Sequence, residues 1–481
     1  MKRAIALALL PLIGAGCAVG PNYQRPPITA PNETRGQSGP AEAASLADAA
    51  WWDVINDETL KGLIDEALRN GYDVRIAAAR VEEARANAGI ARSEFFPQIQ
   101  YQGQWSRTRQ SDFVTLVPNS GPYNLHDVNL GLSWEIDLWG RIRRLSEAAL
   151  AQYLATEEAR RGVMLSLVSE VAIEYFTLRE LDVELEIAKN TKAAFQETYD
   201  LFSRRLEGGA ASALETSSAE ASLAVVAARI PRLESEIVAQ ENLICLLLGR
   251  NPGPIPRGAA LTDQLILPDV PPGLPSDLLQ RRPDLRESEQ QLVAANAAVG
   301  VAMANFFPTI SLTGTYGGMS PELSDLFTAG KSWQIAAGLI GPLFQGGRIK
   351  NQYDAQVARW EQAKLQYERS VTSAFSEVSS ALVAHEKLVT VEKELARAVS
   401  AFQEAVQISN DRYLGGLSGY LDVLTVEQQL FPAQNALAQT RLERLANFVS
   451  LYKALGGGWN LQDPTWIRAS AESSPPGKNG H

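Results

Sequence analysis

ARSEFFPQIQYQGQW, residues 91–105, closes a helical pattern at Phe95-Phe96-Pro97 and then begins to alternate. Gln98, Gln100, Gln102 and Gln104 are interleaved with Ile99, Tyr101, Gly103 and Trp105. A period of two marks a β-strand with unlike faces, here one of amides and one largely aromatic and aliphatic. In a soluble sandwich the apolar face would meet another sheet. In an outer membrane barrel it would meet lipid, with the glutamines on the water side. Eight strand residues do not separate these cases, so the surrounding chain has to.

The same wording returns later. AMANFFPTI (302–310) matches ARSEFFPQI (91–99), and LQRRPDLR (279–286) matches LRNGYDVR (68–75), both at a shift of 211 residues, Ile310 against Ile99. Further on, GRIKN (347–351) matches GRIRR (140–144), and SEV (376–378) matches SEV (169–171). RYLGGLSGYLD (412–422) matches RLEGGAASALE (205–215), and ALG (454–456) matches LLG (247–249). These four pairs share a shift of 207, Gly347 against Gly140. A steady shift over more than a hundred residues signals duplication. The first copy is longer by 211 − 207 = 4 residues, inserted between the FFP segment and the GRI helix.

Each copy orders its elements alike. A helix over about 74–94 or 284–305 runs into Phe-Phe-Pro, where proline ends it. Strands are expected near 98–107 and 126–138, then near 309–318 and 332–344. A long helix over 141–206 or 348–414 is followed, after a Gly-Gly turn, by a shorter one over 213–248 or 420–455. The first repeat is placed at 57–256 and the second at 257–456, between an extended segment at 17–56 and a tail at 457–481. No proline falls within 123–230 or 343–431.

Those lengths constrain the fold. A helix of 66 residues would extend about 100 Å at 1.5 Å per residue, longer than any globular interior. Charges such as Glu157, Glu158, Arg160 and Arg161, or Glu361, Lys364, Glu368 and Arg369, exclude a membrane span for it. A long antiparallel helical hairpin, written twice, is the result. The strands have the opposite problem. Four per chain are too few to close a membrane barrel, which needs about eight, and an open sheet in lipid leaves edge groups unsatisfied at several kcal/mol each. Either the sheet avoids lipid or several chains share a barrel. VNLGLSWEIDLW (128–139) alternates again, with Val128, Leu130, Leu132, Trp134, Ile136 and Leu138 on one face. Trp105, Trp134, Trp139, Tyr316 and Trp333 suit aromatic girdles at a membrane surface.

The N-terminus supplies an address. Lys2 and Arg3 precede the apolar AIALALLPLIGAG, and together residues 1–16 read as a secretory signal. IGAGC resembles a bacterial lipobox, which implies cleavage before Cys17 and lipid on that residue. Ala18 stands where an aspartate would argue for inner-membrane retention, so the implied location is the outer membrane. Cys245, alone in LICLLLG, reads as a small buried hydrophobe.

Composition narrows the function. The 481 residues carry a formal charge of −11 with 21% charged residues, and the isoelectric point is near 5.1. That balance argues against nucleic acid, which calls for a basic patch. Two cysteines provide no disulfide framework. His126, His385 and His481 show no metal-ligand spacing, and no nucleophile–base pair or phosphate loop stands out, so neither enzyme, metal site nor cofactor is expected. No run of 18 apolar residues suggests a transmembrane helix.

RRPDLRESEQ (281–290), GRIKNQYDAQ (347–356), YLDVLTVEQQLF (420–431), SLYKALGGGW (450–459) and CAVGPNY after the lipobox resemble the outer membrane efflux proteins. The likeness is to TolC-like outer membrane factors, in the lipoprotein branch that serves drug efflux by pumps of the RND type (NodT- or OprM-like). It implies an α+β membrane protein, a homotrimer whose twelve strands form one barrel continued by a periplasmic α-helical barrel. It implies a passive duct receiving substrate from an inner-membrane pump through a periplasmic adaptor protein. The glutamines of QIQYQGQW would then face the lumen, and Ile99, Tyr101 and Trp105 the lipid.

The resemblance also carries a gate. Leu421 stands at a constricting leucine, and Asp422 and Thr425 at two positions where aspartates form anionic rings. Thr425 departs from that pattern. Asp422 also suits a helix start, where the dipole favours an acid, and the sequence leaves both roles open. Arg412 and Tyr413 match a pair that braces the tip. The turns holding Leu206, Gly208, Gly209 and Ser212, and Gly415, Gly416 and Ser418, are expected to meet the adaptor. Two other readings compete with an efflux duct: a duct for type I protein secretion, and a non-conducting coiled-coil lipoprotein. Cargo, pump and adaptor identity are not written in the chain.

Overall fold

In a computed structural model of the protein, residues 18–28, 31, 35, 57–109, 111, 113, 121–209, 211–264 and 278–457 are described. Cys17, the signal at 1–16 and the tail beyond Gly457 lie outside them. The elements are α1 (Glu58–Asn70), α2 (Tyr72–Ser93), β1 (Gln98–Thr108), β2 (Tyr123–Ile136), α3 (Arg141–Glu207) and α4 (Ala213–Leu247). A one-turn helix, Leu278–Arg281, leads into α5 (Pro283–Ala304), β3 (Thr309–Ser320), β4 (Lys331–Ile340), α6 (Arg348–Leu414) and α7 (Tyr420–Ala454). Helices α2 and α5 have 22 residues each, α3 and α6 have 67, and α4 and α7 have 35.

The described residues fall into two compact units, those within 18–27, 80–157 and 287–368 in one, and those within 28–79, 158–286 and 369–457 in the other. The first holds the sheet, antiparallel throughout in the order β1-β2-β3-β4. Its register extends the alternation of QIQYQGQW across all four strands. Tyr101 pairs with Leu130, Leu130 with Tyr316, and Tyr316 with Trp333, while the neighbouring row on that face is Ile99, Leu132, Gly314 and Ile335. Rows of the opposite face read Gln98, Ser133, Thr313, Ala336, then Gln100, Gly131, Thr315, Gln334, then Gln102, Asn129, Gly317, Ser332. Among the described residues nothing covers the apolar face: Tyr101 is 85% exposed and Trp333 70%.

Six of the eight strand ends differ from the sequence reading: β1 runs one residue longer, β2 begins at Tyr123 and stops at Ile136, β3 runs on to Ser320, and β4 begins at Lys331 and stops at Ile340. β2 stops at Ile136, so Leu138 leaves the alternating face. Asp137 turns its carboxylate to the start of α3, where it accepts from the backbone N–H of Ile142 (3.1 Å) and Arg143 (2.9 Å). Capping the helix takes over from extending the strand. β4 stops at Ile340 instead of residue 344, because Gly341-Pro342 follows and proline lacks a ladder donor. At the same end of the sheet, Trp139 donates to the Pro308 carbonyl (2.8 Å) and stacks on Phe307 at 4.6 Å.

The stretch that follows Cys17 is clasped to this unit. Val19 N–H donates to the Trp139 carbonyl (3.0 Å), Arg144 donates to Asn22 (2.7 Å), and Asn296 donates to the Pro21 carbonyl (2.9 Å). Arg25 grips Glu289 through both guanidinium edges, and Tyr23 donates to the same carboxylate (3.0 Å). Gly20 has φ +97°, and a Cβ there would sit 2.6 Å from the Gly300 Cα, so neither steric room nor backbone angle admits another residue.

The second unit holds a continuous apolar core around Tyr175, Leu178, Ile244, Leu248, Phe448 and Leu451. Helix α1, absent from the sequence reading, docks on it with Leu60, Leu63, Ile64 and Ala67, one stripe at helical spacing. Its N-cap is Asp57, only 2% exposed. One carboxylate oxygen accepts from the N–H groups of Thr59 (2.9 Å) and Leu60 (3.2 Å). The other accepts from Tyr175 OH (3.2 Å), Ala259 N–H (3.0 Å) and Gln264 Nε2 (2.9 Å). A Cβ on Gly258 would come within 2.3 Å of that carboxylate, so glycine is required. Nearby, Arg282 donates to Asp284, Glu377 and the Ala454 carbonyl, giving the RRPDLR motif a structural duty.

Replacing Asp57 by alanine strands several buried donors, each costing about 1–3 kcal/mol. Asp57→Ala is therefore expected to lower stability by at least about 3 kcal/mol, and Asp57→Asn by less. Urea unfolding of the purified full chain checks this; coincident midpoints for all three proteins would remove Asp57 from its central position.

Candidate functional site

The sequence reading places its gate and adaptor-contacting residues at the hairpin turns, and all of these lie in the second unit, whereas the lipidation residue Cys17 lies outside the described residues. The two turns share a design. At the first, Gly208 N–H donates to the Arg204 carbonyl (3.2 Å) and Gly209 N–H to that of Leu206 (3.0 Å), with Gly209 at φ +72°. At the second, Gly416 N–H donates to the Tyr413 carbonyl (3.0 Å) and Leu417 N–H to that of Arg412 (2.8 Å), with Gly416 at φ +71°. A left-handed glycine followed by a back-directed N–H is the usual helix stop.

The returning helices start differently. α4 has a complete capping box: Glu215 N–H donates to Ser212 Oγ (3.3 Å), and Ser212 N–H donates to the Glu215 carboxylate (2.9 Å). At the matching place α7 has Gly419, which offers no side chain, and Asp422. Asp422 is exposed and has no side-chain hydrogen bond or ion pair among the described residues. Its own N–H donates to the Gly419 carbonyl (3.2 Å). The acid therefore caps nothing with its side chain. Leu421 beside it is 73% exposed, and Thr425 turns its hydroxyl inward to the Leu421 carbonyl (2.7 Å). Thr425 is thus spent on its own helix.

The tip is braced by a residue that sequence reasoning missed. Tyr413 accepts from Arg205 Nη1 (2.5 Å), and the Arg205 guanidinium also lies 5.3 Å from the Tyr413 ring centroid. Arg412 is exposed and meets no carboxylate among the described residues. Behind Tyr413, the Phe202 ring meets Tyr420 edge-on at 4.3 Å, in a small core with Ala219, Val423 and Leu424. Burial, then the nearby Glu427, raises the Tyr420 phenol above its ordinary range. The available signal was the repeat itself: Arg205 opens RLEGGAASALE as Arg412 opens RYLGGLSGYLD. One copy kept the cation that the tyrosine of the other copy uses.

Farther along the hairpins, Glu180 is buried beside Glu184, and its carboxyl is pushed up to about 8, first by burial and then by that neighbour. Arg229 donates to Glu184 (2.8 Å). Among the described residues, no cluster of three or more histidine, cysteine, aspartate or glutamate side chains is placed to hold a metal ion.

Comparison with known proteins follows this geometry. The profile of the family described as "Outer membrane efflux protein" matches residues 63–250 and 274–457. The "Probable efflux pump outer membrane protein TtgC" of Pseudomonas putida is 36% identical, over 99% of this chain and 100% of its own length. The "Cation efflux system protein CusC" of Escherichia coli is 34% identical, over 94% of this chain and 98% of its own. Among solved structures, the open state of the Neisseria gonorrhoeae MtrE outer membrane channel superposes with a TM-score of 0.82 at 32% identity, covering 92% of this chain and 98% of that one.

Tyr413→Phe removes the hydroxyl that Arg205 holds and leaves the ring packing. Amide exchange at residues 199–209 and 411–424 is expected to quicken several-fold in that variant and in Arg205→Ala, and to stay unchanged in Arg412→Ala. Mass-spectrometric hydrogen exchange measures it, and an Arg412→Ala effect as large as the others would relocate the brace.

Proposed function

The chain belongs to the outer membrane efflux protein family, and from that premise we propose that it is the outer membrane duct of a tripartite efflux system, assembled as a homotrimer. The observation that carries this reading is the sheet: four strands, bare on an aromatic face, amide-rich on the other, with open edges at β1 and β4. In the outer membrane, three such sheets would close a twelve-stranded barrel, apolar rows to lipid and glutamine rows to the lumen. The helical hairpins would then form a periplasmic tunnel.

The organisation proposed with it is a signal at 1–16, a lipidated segment at 17–56 anchored through Cys17, two repeats at 57–256 and 257–456, and a tail at 457–481. The duct needs no catalysis, metal or cofactor of its own. Its partners are a periplasmic adaptor at the Gly208-Gly209 and Gly415-Gly416 turns and an inner-membrane pump of the RND type. Three copies of Leu421 and Asp422 would converge at the tunnel's closed end, with the Arg205–Tyr413 contact holding each hairpin pair shut. Relatives of similar identity are named for toluene, antibiotic and cation efflux. Cargo selection accordingly belongs to the pump.

Native mass spectrometry of the detergent-solubilised chain tests the assembly, with a trimer expected and a folded monomer counting against it. In planar bilayers, Asp422→Ala is expected to reduce cation preference and divalent block. Arg205→Ala is expected to raise open probability. Ile99→Arg should cost about 2–4 kcal/mol on the lipid face and impair assembly, with Gln100→Arg far milder. Equal outer membrane assembly of those two variants would invert or dissolve the assignment of faces.

A further inference from the structure

Charge is distributed one-sidedly over the sheet. The four strands contain only two lysine or arginine residues, Arg107 and Lys331. Register sets both on the apolar face. Lys331 completes the row Gly103, Val128, Gly318, and Arg107, paired with Asn124, lies two rows farther along β1. The strand acids, Asp127 and Glu135, alternate onto the other face. Helices α2, α3, α5 and α6 all join the sheet at its opposite end, so both cations stand at the end away from them.

Two rows from Lys331 towards the helices, the same face is dented. A cleft of about 530 Å³ opens there, walled by Ile99, Leu132, Ile335, Tyr316 and Trp333, with Gly314 between Leu132 and Ile335. The backbone does not impose that glycine: its φ is not left-handed, and a Cβ would meet nothing nearer than 3.8 Å. A Cβ on Gly317, by contrast, would collide with the Val128 carbonyl. A strand glycine that its own fold does not require marks a close approach by something else. Above one wall, Lys331 Nζ lies 5.4 Å from the Tyr316 ring centroid. Lys331 is exposed and meets no carboxylate among the described residues, Glu322 and Asp325 of the adjoining turn included.

We propose that this cleft seats an acyl chain of an anionic outer-leaflet lipid whose head-group phosphate is held by Lys331. The inference rests on the barrel reading, which turns the apolar face to lipid and the end away from the helices to the outside. Lys331 and the Gly314–Ile335 row are four residues apart on β4, roughly 13 Å at about 3.3 Å per residue. An acyl chain spans about half of a hydrocarbon core of about 30 Å, so a lipid held at Lys331 reaches the dent. The ammonium gives the phosphate a charge-assisted hydrogen bond, and Tyr316 and Trp333 give the chain rigid walls that a flat face lacks. A neutral lipid leaves Lys331 without a counter-charge.

The test is native mass spectrometry of the full-length protein in detergent, with diphosphoryl lipid A as the anionic probe and a diacylglycerol as the neutral one. Saturable retention of one lipid A per chain is expected, with diacylglycerol lost. Lys331→Gln, and Gly314→Leu, which fills the dent, should each cut retention at least fivefold. Thr313→Leu, on the opposite face of the same strand, should retain lipid A like the native chain. Thermal unfolding without lipid checks that each variant is folded, and lipid A should raise the midpoint of the native chain and Thr313→Leu only. A change of less than twofold in Lys331→Gln, equal retention of the two lipids, or an equal loss in Thr313→Leu overturns the proposal. Retention that appears only in Cys17→Ser would give the cleft to the chain's own anchor, and that also overturns it. Conductance is recorded in parallel: lipid binding lost with conductance intact strikes this inference alone, and lipid binding intact without conductance strikes the duct reading alone.

Discussion

A sheet of four strands with one greasy face finds no further strand to finish it among the described residues. Its backbone ladder is complete from β1 to β4 and then stops, leaving two rows of unpaired N–H and C=O groups. In water such edges invite association. In hydrocarbon they are forbidden, because no solvent can satisfy them. The aromatic rows add a second demand, since Tyr101, Leu130, Tyr316 and Trp333 line up with none of the described residues over them. Both demands are met together by lipid on the apolar face and further strands at the edges. Sharing one barrel among copies is the simplest arrangement that meets them.

The chain's charged motifs are spent on holding long elements in register. Arg282 in RRPDLR reaches a carbonyl at the end of α7, and Glu289 a few residues later holds Arg25 of the N-terminal stretch. Asp57 gathers five donors from α1, α3 and the 258–264 loop. These are buried or half-buried bonds between segments far apart in sequence. They act beside the apolar core around Tyr175 and Phe448, fixing which segments meet along helices of 67 residues.

Sequence made the periodic parts legible. The α6 boundaries match at both ends, those of the other long helices at one end and within a residue at the other, because glycine turns punctuate long runs of good helix formers, while Pro231 and Pro432 lie inside α4 and α7 without ending them. Strand ends were harder, since Asp137 caps a helix where the alternation alone would continue the strand. Helix α1 was missed although its signals are local, an Asp57 N-cap bonded to Thr59 and Leu60 and the stripe Leu60, Leu63, Ile64 and Ala67; only the partners that bury Asp57 lie more than a hundred residues away. At the tip, adjacency of Arg412 and Tyr413 in sequence pointed to a pair, but adjacent helical residues do not face each other. The cation that reaches Tyr413 comes from the other repeat, a contact invisible until the hairpins are packed.

That exchange shows what duplication permits. Two matching hairpins supply the same frame twice, so each turn needs only the shared glycine stop. Beyond it, the copies diverge in a complementary way. Ser212 and Glu215 lock the start of α4 with reciprocal hydrogen bonds. Gly419 cannot do so for α7, and Asp422 is left with its charge unspent in solvent. Arg205 is used to hold a tyrosine of the other hairpin, while Arg412 stays unengaged among the described residues. The first hairpin's returning helix is therefore locked by its own capping chemistry, while the second hairpin's tip is held from outside, by the Arg205 guanidinium and by the packing of Tyr413, Tyr420, Val423 and Leu424 around Phe202. A cap bonded within its own helix survives movement of that helix, whereas a contact between hairpins is broken by it. The tip of the second hairpin is also the one that carries the exposed leucine, Leu421, and the acid with no side-chain partner among the described residues, Asp422.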